Sequence, residues 1–276
     1  MSGFLDDMAR SSAARVAQAL RHESAEALER RARQAPPSAP LRLSASGFDV
    51  IAELKLRSPA AGQLGNESED WLGRVAAYAR GGAAAVSVLT EPSRFDGSLE
   101  HLCQAAQVLA PLGVPAMRKD FLVDPYQVLE ARAAGASGVL VILRMLKRAR
   151  IEELLDVAEE HGMFVLLEAF DEVDLELARD LMTSREEVPR EQILIGINSR
   201  DLQTLNVVKE RFAQLAPLLP GGWPAVAESG VAGGPDARNM RQLGYRLALV
   251  GTALMAHDDP SQLLREIFNA TRTVQP

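Results

Sequence analysis

From residue 48 onward, short apolar runs recur along the chain, each followed by a polar or glycine-rich corner and then a stretch of helical periodicity. The first run, 50–52 (VIA), passes without a break into Glu53, Leu54 and Lys55, then Arg57, Ser58, Pro59 and Gly62. Seven more follow at 83–89 (AAAVSVL), 114–119 (VPAMRK), 138–143 (GVLVIL), 164–168 (FVLLE), 194–198 (LIGIN), 225–228 (AVAE) and 247–251 (LALVG). Runs this apolar suit strands buried on both faces of a parallel sheet. Helical patterns at 124–134, 149–161 and 235–243 lie between them, ending at Gly135, Gly162 and Gly244, where a left-handed residue closes a helix. Eight strand signals alternating with helices predict an α/β fold, a (β/α)8 TIM barrel. A doubly wound open sheet is the alternative, and no GxGxxG follows the first strand to favour it.

Ahead of the barrel, residues 4–34 space their apolar positions by three or four (Phe4, Leu5, Met8, Val16, Leu20, Leu28), which predicts a helical lead-in. The proline-rich segment 34–40 (QAPPSAP) ends it. The chain is therefore divided into an N-terminal helical extension, 1–40, and a catalytic barrel, 41–276. An extension this short cannot form its own core and must lie against the barrel. The charged segment 183–192 (TSREEVPREQ) reads as a surface loop at the barrel bottom.

Composition narrows the function. Of 276 residues, 47% are hydrophobic and only 5% aromatic, and the formal net charge is -7. An acidic chain argues against a nucleic-acid partner. One cysteine, Cys103, excludes an internal disulfide, and the start of the chain has no apolar signal core. No run approaches 18 apolar residues, so no membrane association is expected. A cytoplasmic protein is expected, a monomer with a weak homodimer as the alternative. The histidines at 22, 101, 161 and 257 have no metal-ligand spacing and read as surface or capping residues. No metal and no redox cofactor are expected.

Candidate chemistry gathers where the runs end. Glu53 and Lys55, Lys119, Glu168, Asn198, Glu228 and Ser229 all fall at the C-terminal tips of predicted strands, the end at which barrel enzymes carry their sites. Glu53 and Lys55, two apart, project to one side. Lysines facing glutamates in a partly dry pocket shift one another's proton affinity and suit proton transfer to a carbonyl compound. Ser229-Gly230 and Gly251-Thr252 follow the last two runs, where a phosphate cradle forms in such barrels, and Ser58 and Lys55 stand on the neighbouring first strand.

The segments IAELKLRSP (51–59), SVLTEPSRFDGS (87–98), RKDFLVDPYQVLEARAAGAS (118–137), LLEAFDE (166–172), IGINSRDLQTL (195–205), AESGV (227–231) and LVGTALM (249–255) together resemble the indole-3-glycerol-phosphate synthase family of tryptophan biosynthesis. They follow the family order over residues 48–260. The resemblance implies a lyase acting on 1-(2-carboxyphenylamino)-1-deoxyribulose 5-phosphate, closing the indole ring with loss of carbon dioxide and water. It implies Lys119 as general acid, Glu168 as base, and Glu53 with Asn198 holding the departing sugar hydroxyl. Lys55 would grip the substrate carboxylate or phosphate and share the acid role. Arg200 and Glu228 would tune the lysines. Ser58, Ser229, Gly230, Gly251 and Thr252 would cradle the phosphate, and Phe95 and Phe121 would wall the aromatic ring. The chain departs from the commonest pattern at Leu56-Arg57 and at Ala169-Phe170, where the family often has a basic residue and a Glu-x-His. These departures leave open a paralogue acting on a substituted anthranilate. A non-catalytic phosphate-binding barrel is the other alternative.

Overall fold

The computed structural model describes residues 3–272 apart from 38, 46, 60–61, 64–69, 186 and 203. Ser38 of the proline-rich segment, Glu186 of the charged loop and Gln203 of the 195–205 motif thus lie outside the described residues.

Eight strands close into a parallel barrel: β1 (Asp49–Leu54), β2 (Ala85–Leu89), β3 (Ala116–Lys119), β4 (Gly138–Ile142), β5 (Phe164–Ala169), β6 (Ile193–Asn198), β7 (Ala225–Glu228) and β8 (Leu247–Val250). Closure is made by β1 lying between β2 and β8, with Ile51 opposite both Ala85 and Leu249. The open-sheet alternative is thereby excluded. Alternation along each strand sorts its side chains into two cores. Ile51, Met117, Leu140, Leu166, Leu194 and Val226 pack together inside the barrel. Val50, Ala52, Val86, Val139, Val165 and Ala227 join the helices outside it. Burial on both faces explains why the strands read as continuous apolar runs. Four runs are longer than the strands they form: β2 begins at Ala85, β3 begins at Ala116, Leu143 opens a 3-10 turn after β4, and β8 ends at Val250.

The helices at Pro125–Ala133, Arg148–Glu160 and Gly234–Gln242 match their predicted spans to within a residue or two. Gly135, Gly162 and Gly244 follow them with φ of +90°, +62° and +95°, the left-handed conformation expected there. The charged 183–192 segment leads into β6 from the barrel bottom, and Arg190 within it stacks 4.2 Å from the Trp223 ring centroid.

The lead-in is not one helix. It divides into α1 (Phe4–Ala19) and α2 (Ala25–Gln34), because Ser24 caps the second by accepting a hydrogen bond from the Ala27 backbone N–H at 3.3 Å. Leu28 and Ala32 of α2 pack on Tyr126 and Leu129 of the barrel. His161, read as a surface or capping residue, does cap the C-terminus of the Arg148–Glu160 helix, but its side chain is only 3% exposed, with Nε2 3.1 Å from Glu29 Oε2 of α2. It fastens the extension to the helix at Arg148–Glu160. The hinge between the elements is local, while their apolar faces are fixed to the barrel.

Candidate functional site

At the C-terminal ends of the strands the barrel opens into one cavity of about 470 Å³, a size suited to a small organic ligand. All fourteen site residues expected from the sequence line it: Glu53, Lys55, Ser58, Phe95, Lys119, Phe121, Glu168, Asn198, Arg200, Glu228, Ser229, Gly230, Gly251 and Thr252. They come from the tips of β1, β3, β5, β6 and β7 and from the segments that follow β1, β2, β3, β6, β7 and β8, which explains their wide separation in sequence.

The centre is the Lys119 ammonium at the end of β3. Nζ lies 3.1 Å from Glu168 Oε2 on β5 and 3.3 Å from Glu228 Oε2 on β7. Burial alone would strip the ammonium of its proton, but the charges of Glu168, Glu228 and Glu53 outweigh it and raise its pKa. Lys119 is therefore held as a cation. Burial and the neighbouring Glu168 charge push Glu228 well above the usual carboxylate range, despite Lys119. Proton uptake by Glu228 would remove one negative charge from the cavity, so the two groups titrate as a pair.

Glu168 is oriented from its other side, because Asn198 Nδ2 donates to its Oε1 at 3.2 Å. Asn198 is itself fixed: its side-chain oxygen accepts from the Arg200 backbone N–H at 2.9 Å, and its carbonyl from Arg211 at 2.6 Å. The Arg200 guanidinium is tied to the Leu205 carbonyl at 2.7 Å, at a residue whose φ is +61°. Lys55 Nζ lies 2.7 Å from Glu53 Oε1. Burial would raise the Glu53 pKa, but Lys55 and then Lys119 overcome it, and the carboxylate lies below its usual range.

Two glycines make room for these carboxylates. A Cβ on Gly251 would stand 2.2 Å from Glu53 Oε1 and 2.9 Å from Lys55 Nζ. A Cβ on Gly196, which carried no expectation beyond its place in a strand, would stand 2.1 Å from Glu228 Oε1. At the far wall Phe95 and Phe121 lie with ring centroids 6.2 Å apart. Phe4 of α1 adds a third ring, edge-on to Phe121 at 5.7 Å. Phe4 lines the cavity and places α1 at its mouth.

Asp120 also lines the cavity and had no assigned role. It lies in the RKDF stretch, so a buried charge beside Lys119 was the available signal. Among the described residues, no group of three or more histidine, cysteine, aspartate or glutamate side chains is arranged to hold a metal ion, and no helix is long and apolar enough to cross a membrane.

The indole-3-glycerol phosphate synthase family model matches residues 5–267, which takes in both α1 and the whole barrel. The chain belongs to the indole-3-glycerol phosphate synthase family. An indole-3-glycerol phosphate synthase from Parafrankia sp. is 41% identical over 252 residues, covering 91% of this chain and 89% of that protein. One from Koribacter versatilis is 36% identical over 272 residues, covering 97% and 98%. Membership thus extends to the α1–α2 extension as well as the barrel. Among solved structures, 3-hexulose-6-phosphate synthase from Salmonella typhimurium superposes with a TM-score of 0.60 at 12% identity, covering 81% of this chain and 98% of that one. That likeness speaks for the barrel fold alone.

Proposed function

We propose that this chain is an indole-3-glycerol-phosphate synthase, converting 1-(2-carboxyphenylamino)-1-deoxyribulose 5-phosphate to indole-3-glycerol phosphate, carbon dioxide and water. The observation that carries the reading is Lys119, a buried ammonium held between Glu168 and Glu228 and facing an apolar wall.

Ring closure joins the sugar carbonyl carbon to the ring carbon that bears the carboxylate. The carbonyl oxygen gains negative charge as that bond forms, and a fixed cation at 3 Å range stabilises it in a dry site. Lys119 then delivers its proton to the developing alkoxide, which is far more basic than an amine. The carbon–carboxylate bond breaks, and its electron pair neutralises the ring cation as carbon dioxide leaves. Dehydration remains: the hydroxyl made from the carbonyl takes up a proton and departs as water, and the neighbouring carbon on nitrogen loses a proton to form the double bond of the new five-membered ring. Glu168, oriented by Asn198 and Lys119, is placed to take that proton. Glu53 and Asn198 hold the departing hydroxyl.

Lys55 lies against Gly251, which favours a grip on the phosphate end, where Ser58, Ser229, Gly230 and Thr252 also line the cavity. The stack of Phe4, Phe95 and Phe121 suits the carboxyphenyl ring. We place the reaction in the cytoplasm, as composition suggests.

The test is fluorescence detection of indole-3-glycerol phosphate formed from the carboxyphenylamino sugar phosphate by the purified chain. Turnover at an ordinary enzymatic rate is expected. Binding without turnover would overturn the catalytic reading and favour a binding barrel.

A further inference from the structure

Asp120 follows Lys119 directly, yet its carboxylate does not reach the Lys119–Glu168–Glu228 cluster. Five donors claim it instead. Oδ1 accepts from Arg15 Nη2 at 2.7 Å and from the Phe121 backbone N–H at 2.8 Å. Oδ2 accepts from Arg15 Nη1 at 2.8 Å, Thr90 Oγ1 at 2.7 Å and Arg118 Nη2 at 3.0 Å. Arg118 is buried, and its other bonds run to Thr90 Oγ1 at 3.1 Å, to the Gln127 carbonyl and to Glu130. Arg15 alone comes from α1, and its two-pronged grip fixes both oxygens in one plane. The same helix turn offers Ser12, whose hydroxyl accepts from Gln127 Nε2 at 2.8 Å.

Phe121 is thus held at two points by one helix: its backbone N–H through Asp120 and Arg15, and its ring through Phe4. The Lys119 ammonium is oriented by carboxylates on β5 and β7, which Arg15 does not touch.

We propose that Arg15 is a positioning residue for recognition of the aromatic half of the substrate: through Asp120 it holds the Phe121 wall in place against α1. This rests on the proposed substrate. The phosphate-end residues follow β1, β7 and β8, whereas the hydrogen bonds of Arg15 run to Asp120 and Ser12.

The experiment compares Arg15→Ala and Arg15→Lys with the unaltered chain in three readouts. Steady-state kinetics should show KM for the carboxyphenylamino sugar phosphate raised about tenfold in Arg15→Ala, with kcat within about twofold. Binding of the same compound with its carbonyl reduced to an alcohol, followed by the fluorescence of its carboxyphenyl ring, should weaken in parallel. Competitive inhibition by inorganic phosphate should not change. Arg15→Lys keeps the charge and one bond, and should recover most of the loss.

An unchanged KM in Arg15→Ala would overturn the proposal. So would equal weakening of the ring-bearing compound and phosphate, the mark of a general structural role, or a kcat that falls while KM stays. If the unaltered chain shows no turnover, the catalytic reading fails. Arg15 is still judged by binding of the reduced compound, and failure of the unaltered chain to bind it would overturn both.

Discussion

Gly196 on β6 occupies the strand position beside the Glu228 carboxylate: a Cβ there would lie 2.1 Å from Glu228 Oε1. The strands pair with Gly196 opposite Val226 and Asn198 opposite Glu228, so the glycine sits one pleat below the tip. Its backbone is an ordinary strand, and its lack of a side chain serves the neighbour. Gly196→Ala should push the Glu228 carboxyl away from Lys119 and lower kcat at least tenfold. Leu166 Cδ1, 3.0 Å from the same Cβ, adds crowding of roughly 1–3 kcal/mol. Steady-state kinetics beside a thermal melt separates the two effects. A variant that melts early but turns over normally would show that Glu228 placement is immaterial.

Gly251→Ala is the corresponding change at the phosphate end. Its Cβ meets both members of the Glu53–Lys55 pair, so the pair must part or turn. We expect KM to rise by about an order of magnitude and inhibition by inorganic phosphate to weaken with it. Loss of kcat without any change in phosphate inhibition would place Lys55 with the chemistry instead.

Substitution at the cluster itself tests the roles. Glu168→Gln keeps the shape and the Asn198 contact but removes the base, and should cut kcat by about 10²–10⁴-fold with the fold intact. Lys119→Ala should do the same and also lower the melting temperature, because it leaves Glu168 and Glu228 together without their cation. Near-normal turnover in either variant would sink the assignment.

Much of this was legible in the sequence, for one physical reason. Strands buried on both faces read as apolar runs, so a glutamate or lysine at the end of one stands out against its neighbours, as Glu53, Lys119, Glu168 and Glu228 do. Residues that act across layers carry no such signal. Asp120 and Arg15 are 105 positions apart, and only the docking of α1 shows that they meet. Arg118 reads as a strand-end charge, although it is buried outside the barrel wall. His161 reads as a helix-end polar residue, and its burial depends on where α2 lies. Gly196 reads as a weak point in a strand, because the atom that needs its space belongs to another strand.

Glu228 gives a pH dependence whose sign can be worked out. Its carboxyl is raised in the folded chain by burial and by Glu168, so folding favours the protonated form. The stabilisation is complete below the unfolded value of about 4.3 and is lost as pH rises through the higher folded value. Glu228→Gln holds the same shape, is always neutral and has no such loss. The difference in melting temperature, variant minus unaltered chain, should therefore grow as pH rises from 5 to 9. The Lys119 ammonium loses a neighbour in the variant but keeps the Glu168 carboxylate at 3.1 Å. Melts of both proteins at matched ionic strength read the effect directly. A difference that stays flat or shrinks with pH would mean that Glu228 is ionised in the folded chain, and that Lys119 rests between two carboxylates.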